Sequence, residues 1–375
     1  MLMTKKIWFR SLAAFCVLIT SVAAVLGLWF WHYWRSPVPH MSEATVLLIP
    51  KGAGVRQIGA MLAEKGVLAN DLRYLVYLRL SGLGPKLKAG EYSFAPGISP
   101  AGVLQKIARG EVLRHPVTIV EGLRLEEIAA VFAQGGWVDT DKFLSLARDP
   151  AFIRTVQLET ASLEGYLFPD TYLMVRGTGE EELIRQMLQR FKQVWAALPE
   201  TEGLSLNQHE IVTLASVVEK ETGQAVERPL IARVFLNRLK LGMPLQSDPT
   251  VIYGMGDAFK GNLRRVDLRS PTSHNTYVIP GLPPGPICSP GKAALEAVLK
   301  PAESEALYFV SRNDGSHVFS KTLAEHNRAV QTYQRQARKQ PTTAGTAPAT
   351  KPEAVSAAPE KKGQDEKKGQ EGKGE

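Results

Sequence analysis

Cysteine is nearly absent. The 375 residues contain two, Cys16 and Cys288, which excludes a disulfide-stapled scaffold and a Cys-rich zinc module. Lys, Arg, Asp and Glu are missing altogether between Ser11 and Tyr33, and residues 341–375 contain one large aliphatic side chain, Val355. Between these depleted ends the composition is globular. Hydrophobic residues make up 44% and charged residues 22%, which excludes wholesale disorder, a collagen-like chain and a polytopic membrane protein. The length exceeds the roughly 100–200 residues of one domain, so two folded units are expected. The net charge of +8 admits nucleic acid, anionic lipid or an acidic polymer as partner, and its placement decides among them.

The uncharged run SLAAFCVLITSVAAVLGLWFWHY would span about 35 Å as a helix at roughly 1.5 Å per residue, enough to cross a bilayer. Lys5, Lys6 and Arg10 precede it, whereas Arg35 alone follows closely. The positive-inside bias therefore puts residues 1–10 in the cytoplasm, a transmembrane helix at 11–34 and the remainder outside. The run is too long for a signal-peptide core and ends in Trp29, Trp31, Tyr33 and Trp34 rather than in a small-residue cleavage site, which favours an uncleaved anchor. Cys16 falls within this helix, leaving Cys288 as an expected buried thiol. At the other end, residues 339–375 lack the apolar surface to offset ordering entropy and read as a disordered tail. Four of the eight excess positive charges lie in residues 1–36, and residues 341–375 are balanced. The folded part is thus close to neutral, and nucleic acid is not an expected partner.

The front half repeats itself. Residues 46–71 overlie 116–141 at an offset of 70, matching Ile49 with Ile119, Gly52 with Gly122, Ile58 with Ile128, Gly66 with Gly136 and Asp71 with Asp141. The first copy reads as a strand at VLLIP, helices at 55–64 and 72–80, and a returning strand at 90–94. This βααβ order, assigned to residues 40–112, resembles the LysM carbohydrate-binding module. The second copy runs into LEGYLFPDTY, read as a strand in which carboxylates sit beside aromatic rings suited to sugar faces.

The chemistry concentrates between residues 207 and 330. Asn207 and Glu210 form a capping-box pattern for a helix through HEIVTLASVVEKET. At about 100° per residue, Ile211, Leu214, Ala215, Val218 and Thr222 share one arc facing the core, while Glu219 and Glu221 fall on its two shoulders. A partly desolvated carboxyl facing a cleft is held protonated, as a general acid requires. Spacing leaves both glutamates as candidates. Beyond a second amphipathic helix ending at Gly242, the segment MPLQSDPTVIYGMG crowds Gln246, Ser247, Asp248 and Tyr253 around a proline that argues against regular helix. A long irregular stretch at 270–291 follows, carrying Asn275 and Tyr277, and then a hairpin turning at Asn313, Asp314 and Gly315. Long loops of this kind inside a compact domain are commonly binding loops.

The segments LEGYLFPDTY, ASVVEKET, LQSDPTVIYGMG, PTSHNTYVIPGLPPGPICSPG, LYFV and HVFSKTLAEHN together resemble the MltG-type endolytic murein transglycosylases, the YceG-like family, in order over about residues 40–335. The resemblance implies an α+β protein: an anchor, a LysM-like subdomain and a mixed α+β catalytic domain at 113–338. It implies cleavage of the β-1,4 bond between N-acetylmuramic acid and N-acetylglucosamine of nascent strands without water, with one glutamate acting as acid and then as base, leaving 1,6-anhydromuramyl ends and terminating strand elongation. Its catalytic glutamate, the first acid of the V-E-K-E segment, carries over to Glu219. Gln246, Ser247, Asp248, Tyr253, Asn275 and Tyr277 are the expected substrate-binding residues. The location would be the bacterial inner membrane with the catalytic part in the periplasm. Peptidoglycan strands would be the substrate, and penicillin-binding protein synthases or division proteins the protein partners. No cofactor or metal is expected, since the histidines show no HExxH-like spacing and no Gly-rich phosphate cradle supports a pyridoxal-phosphate lyase. The contrasting expectation is a non-catalytic peptidoglycan-binding scaffold of the wall-synthesis machinery.

Overall fold

The computed structural model describes residues 2–38, 43–200 and 203–336. The expected disordered tail lies outside them. Helix α1 (Leu2–Arg35) contains the apolar stretch Leu12–Arg35, in which an 18-residue window has a mean hydropathy of 2.3 and no buried residue. Among the described residues it is the one helix long and apolar enough to cross a membrane. Its far end is packed: Trp34 is 2% exposed and stacks on Tyr77 at 4.0 Å, and the Arg73 guanidinium lies 4.0 Å from the Tyr33 ring centre. The anchor helix thus runs directly into a folded unit.

That unit comprises β1 (Thr45–Ile49), α2 (Val55–Glu64), α3 (Leu72–Ser81), β2 (Gly90–Phe94) and α4 (Pro100–Arg109). Strands β1 and β2 pair antiparallel from Thr45↔Phe94 to Ile49↔Gly90. The second copy repeats the order with β3 (His115–Thr118), α5 (Leu125–Gln134), α6 (Thr140–Ala147), a short α7 (Pro150–Thr155) and β4 (Thr171–Met174), β3 and β4 pairing antiparallel. The repeat has a backbone cause. Gly52 and Gly122 have φ of 84° and 79°, and Gly66 and Gly136 have φ of 67° and 66°. These left-handed turns, before and after the first helix of each copy, are where a side chain would be strained. The buried apolar residues form two clusters, one built from the end of α1 and the first copy, the other from the second copy and everything after it.

The LEGYLFP segment is not strand. Residues Leu163 to Phe168 form a buried irregular stretch, and β4 begins at Thr171. Gly165, at φ 81°, abuts Pro286 so closely that a Cβ would fall 2.4 Å from the proline ring, which explains why extended structure is broken there.

The remainder surrounds one helix. After α8 (Glu180–Ala196) comes α9 (Gln208–Glu221), opened by the expected capping box between Asn207 and Glu210. Contrary to a one-faced amphipathic pattern, every residue from Ile211 to Val218 is buried, and Thr222 closes the helix from outside it. The neighbours are α10 (Arg228–Lys240), α11 (Asp248–Met255) and α12 (Lys292–Leu299), so α9 is a core helix enclosed on all sides. Helix α11 also departs from expectation: the proline of LQSDPTVIYGMG sits in its first turn, where a missing N–H costs nothing. The hairpin forms as expected, β5 (Tyr308–Ser311) with β6 (His317–Ser320), turning through Asn313 and Gly315 at φ 67° and 86°. Helix α13 (Leu323–Val330), capped by Thr322 and Glu325, follows.

Candidate active site

The last turn of α9 presents Glu219 and Glu221, which two residues of helix set about 200° apart. They enter different surroundings.

Glu221 lines a cavity of about 360 Å³ whose wall includes Arg238, Gln246, Asp248, Tyr277, His317 and His326, at the small end of ligand-sized pockets. The Ser247 hydroxyl donates to the Glu221 carboxyl at 2.5 Å. Ser247 occupies the N-cap position of α11 yet makes no side-chain cap, so its hydroxyl serves the glutamate instead of its own helix. Burial pushes the Glu221 carboxyl up to about 7; the Ser247 hydrogen bond opposes this, the Asp248 charge adds to it, and Arg238 works against it. Tyr277 donates to Asp248 at 2.6 Å, tying the 270–291 loop to the start of α11.

The walls are held rigidly. Arg238, 7% exposed, donates to the carbonyls of Leu245 (2.8 Å) and Leu307 (2.7 Å), clamping the segment before α11 to the hairpin. Gln246 has φ 54°, a strained value for a residue with a side chain, and its N–H is fixed by the Thr276 carbonyl at 3.1 Å. Ser247 N–H donates to the Thr276 hydroxyl at 3.0 Å.

Glu219 stands elsewhere. Its oxygens accept from the Arg228 guanidinium at 3.0 Å and from the Gly291 N–H at 2.9 Å, and its side chain is 6% exposed. The pair joins α9, α10 and the loop before α12. Glu121 lies beside it: burial first, and then the Glu219 charge, raise the Glu121 carboxyl, while Arg228 opposes them. The Glu121 carboxyl rests against Gly291, and a Cβ there would require it to shift.

Of the residues expected to bind substrate, Gln246, Asp248 and Tyr277 line the Glu221 cavity and Ser247 bonds Glu221 directly. Asn275 is fully buried and acts as a brace, donating to the Leu268 and Ser270 carbonyls and accepting from Tyr277 N–H. Tyr253 faces a separate cavity of about 660 Å³ bordered by Lys220 and Phe259, and its hydroxyl donates to Glu164 at 3.3 Å. Glu164, 3% exposed, is raised to about 7 by burial and caps the N-terminus of α5 through Leu125 N–H. Cys288 is fully buried, its thiol pushed up by burial, with Sγ 3.3 Å from the Ser216 carbonyl.

Sequence reasoning passed over Arg238, His317 and His326, all on the Glu221 cavity wall, because the histidines were weighed only as metal ligands. No group of three or more His, Cys, Asp or Glu side chains among the described residues could hold a metal ion. The distance in sequence between the hairpin and α9 hides their convergence. The recurrence of histidine in HVFSKTLAEHN, beside a turn, was the available signal.

The chain thus combines a candidate membrane-spanning helix, an α+β fold and a buried glutamate on the wall of a polar cavity. The chain belongs to the YceG-like family, whose model matches residues 47–332. It is 33% identical over 315 residues to a Bacillus subtilis protein named endolytic murein transglycosylase, spanning 79% of this chain and 87% of that one. A Streptococcus pneumoniae protein of the same name is 31% identical over 314 residues, 75% of this chain and 57% of the relative. The crystal structure of a YceG-like protein of Listeria monocytogenes superposes with a TM-score of 0.53 at 31% identity, covering 76% of this chain and 99% of that one.

Proposed function

We propose that Glu221, rather than Glu219, is the proton donor of a membrane-anchored lytic transglycosylase that cuts peptidoglycan glycan strands internally. The enzyme class follows from family membership and from relatives named endolytic murein transglycosylase. The choice of glutamate is carried by one observation: Glu221 is a carboxyl raised to about 7 on the wall of the cavity onto which Gln246, Asp248 and Tyr277 converge. A carboxyl near 7 is half-protonated at neutral pH, the optimum for transferring a proton. Glu219, favoured by the family motif, has both oxygens engaged by Arg228 and Gly291.

Hydrolytic glycosidases use two carboxyls, one to protonate the leaving oxygen and one to activate water or attack the sugar. A lytic enzyme needs no water, because the muramyl C6 hydroxyl is tethered to the ring it attacks and acts at high effective concentration. In the single-carboxyl form of this mechanism Glu221 protonates the glycosidic oxygen as the C1–O bond breaks, the resulting carboxylate takes the proton of the C6 hydroxyl as that oxygen closes on C1, and a 1,6-anhydromuramyl end results. Within this proposal residues 113–338 form the catalytic domain, Gln246, Asp248 and Tyr277 contact the sugar, and Ser247 orients the acid. The LysM-like copy at 40–112 holds the glycan. Residues 1–10 lie in the cytoplasm and the folded part in the periplasm, so that the enzyme meets strands as synthases release them and terminates their elongation.

Mass spectrometry of intact sacculi incubated with the purified full chain tests this. Anhydromuramyl ends are expected from the wild type and none from Glu221→Gln. A wild type that binds glycan without producing such ends would establish the scaffold alternative. A reporter fused after residue 340 should give a periplasmic signal, and a cytoplasmic one would refute the topology.

A further inference from the structure

The Glu221 cavity contains a second proton-handling group that the single-carboxyl mechanism leaves unused. His317, the first residue of β6, forms part of its wall. Its ring is held by Glu227, which lies just before α10: the His317 backbone N–H reaches one carboxylate oxygen at 2.8 Å and Nδ1 reaches the other at 2.7 Å. Both side chains are nearly buried, at 12% and 11% exposure. Burial pushes the Glu227 carboxyl up, but the His317 hydrogen bonds outweigh it and hold the group below its ordinary range.

An ionised carboxylate only accepts, so Nδ1 carries a proton, and whenever the ring is neutral its lone pair is on Nε2. Nε2 has no hydrogen-bond partner among the described residues and is not among their buried unsatisfied atoms. Phe309 packs edge-on against the ring, centroids 5.5 Å apart, fixing its plane. A carboxylate that selects the tautomer, and a ring on the cavity wall whose other nitrogen has no partner among the described residues, are the elements of an oriented general base. The other charged or titratable groups on the wall are Glu221 from α9, Arg238 from α10, Asp248 from α11, Tyr277 from the long loop and His326 from α13. Of these, Asp248 is engaged by Tyr277, and Arg238 donates to backbone carbonyls.

We propose that His317, oriented by Glu227, is the catalytic base that removes the proton of the muramyl C6 hydroxyl, so that the two proton transfers are divided between Glu221 and His317. The inference rests on the assignment of Glu221 as acid. The C1–O bond to the leaving sugar breaks with its electron pair on oxygen, which takes the Glu221 proton. The C6 oxygen forms the new bond to C1, and its proton passes to Nε2. Between turnovers the imidazolium releases a proton to water and Glu221 takes one up, so the cycle has no net proton change. Glu227 is a positioning residue, acting through the tautomer of His317.

The test is the pH dependence of anhydromuramyl-end formation by the full chain in detergent micelles, with glycan strands as substrate. A base that must be neutral and an acid that must be protonated give the wild type a bell-shaped profile. His317→Gln should lower the rate by about 10²-fold or more and abolish the acid limb. Glu227→Gln should lower it less and displace that limb. Imidazole added to His317→Ala should restore turnover, which separates lost base from lost fold. A wild-type rate and profile in His317→Gln would overturn the inference while leaving Glu221 intact. So would an inactive His317→Ala unresponsive to imidazole together with an unchanged Glu227→Gln profile. Retained activity in Glu221→Gln would instead overturn the acid assignment on which the inference stands.

Discussion

Two carboxyls two residues apart on the same helix occupy opposite environments. Glu219 is locked between Arg228 and Gly291 N–H, with Glu121 beside it, and joins three elements. Glu221 has one hydroxyl donor, Ser247, and lines a cavity where burial raises it to about 7. A motif read as letters cannot separate them. The helix turns one toward an ion pair that ties three elements together and the other toward a cavity.

Arg228→Met should produce the largest stability effect, because it strands a nearly buried Glu219. A loss of about 3 kcal/mol is expected, as for buried pairs broken on one side, measured by denaturant unfolding of the chain in micelles. A change within 0.5 kcal/mol would remove the structural role assigned to Glu219. The Glu221 side predicts a pH dependence instead. Its folded value of about 7 lies above the ordinary 4.5, so the native state keeps a proton that the unfolded chain releases. That contribution is fully present below about pH 4.5 and is lost as pH rises through 7, on the order of 3 kcal/mol in total. Glu221→Gln should flatten this part of the stability profile, and an unaltered slope would contradict the burial argument.

Ser247→Ala sharpens the comparison further. The Ser247 hydrogen bond lowers the Glu221 value, so its removal raises it, and the alkaline limb of the rate profile should move to higher pH with a few-fold change in maximal rate. A shift to lower pH would reverse the sign of the account. The smallest effect is expected from Glu121→Gln. Burial and Glu219 already disfavour its charge, so the amide should leave stability unchanged or raise it by under about 1 kcal/mol at neutral pH.

Local features were legible from sequence where backbone chemistry dictates them. The duplicated βααβ order follows from paired glycines whose φ values agree within a few degrees between copies, and the capping box at Asn207 and the Asn313–Gly315 turn formed as read. Errors arose where tertiary packing overrides local pattern. A one-faced arc was read into α9, but neighbours cover it on every side. Proline was taken as a helix breaker in the segment where it begins α11. The candidate site was legible in part: Gln246, Ser247, Asp248 and Tyr277 do gather around one glutamate. Which glutamate, and the arrival of His317 beside Arg238, depends on the long-range folding of the hairpin onto α10, which the histidines of HVFSKTLAEHN hint at but do not place. Asn275 and Tyr253 carry the right chemistry for sugar binding but are committed to a loop brace and to Glu164.

The most direct test of the difference between the two shoulders is a side-by-side measurement of initial rates of anhydromuramyl-end formation by Glu221→Gln and Glu219→Gln, with folding of each confirmed by its unfolding transition. The account predicts a loss of about 10³-fold or more for Glu221→Gln and a rate within a few-fold of wild type for folded Glu219→Gln. An inactive, fully folded Glu219→Gln beside an active Glu221→Gln would contradict it.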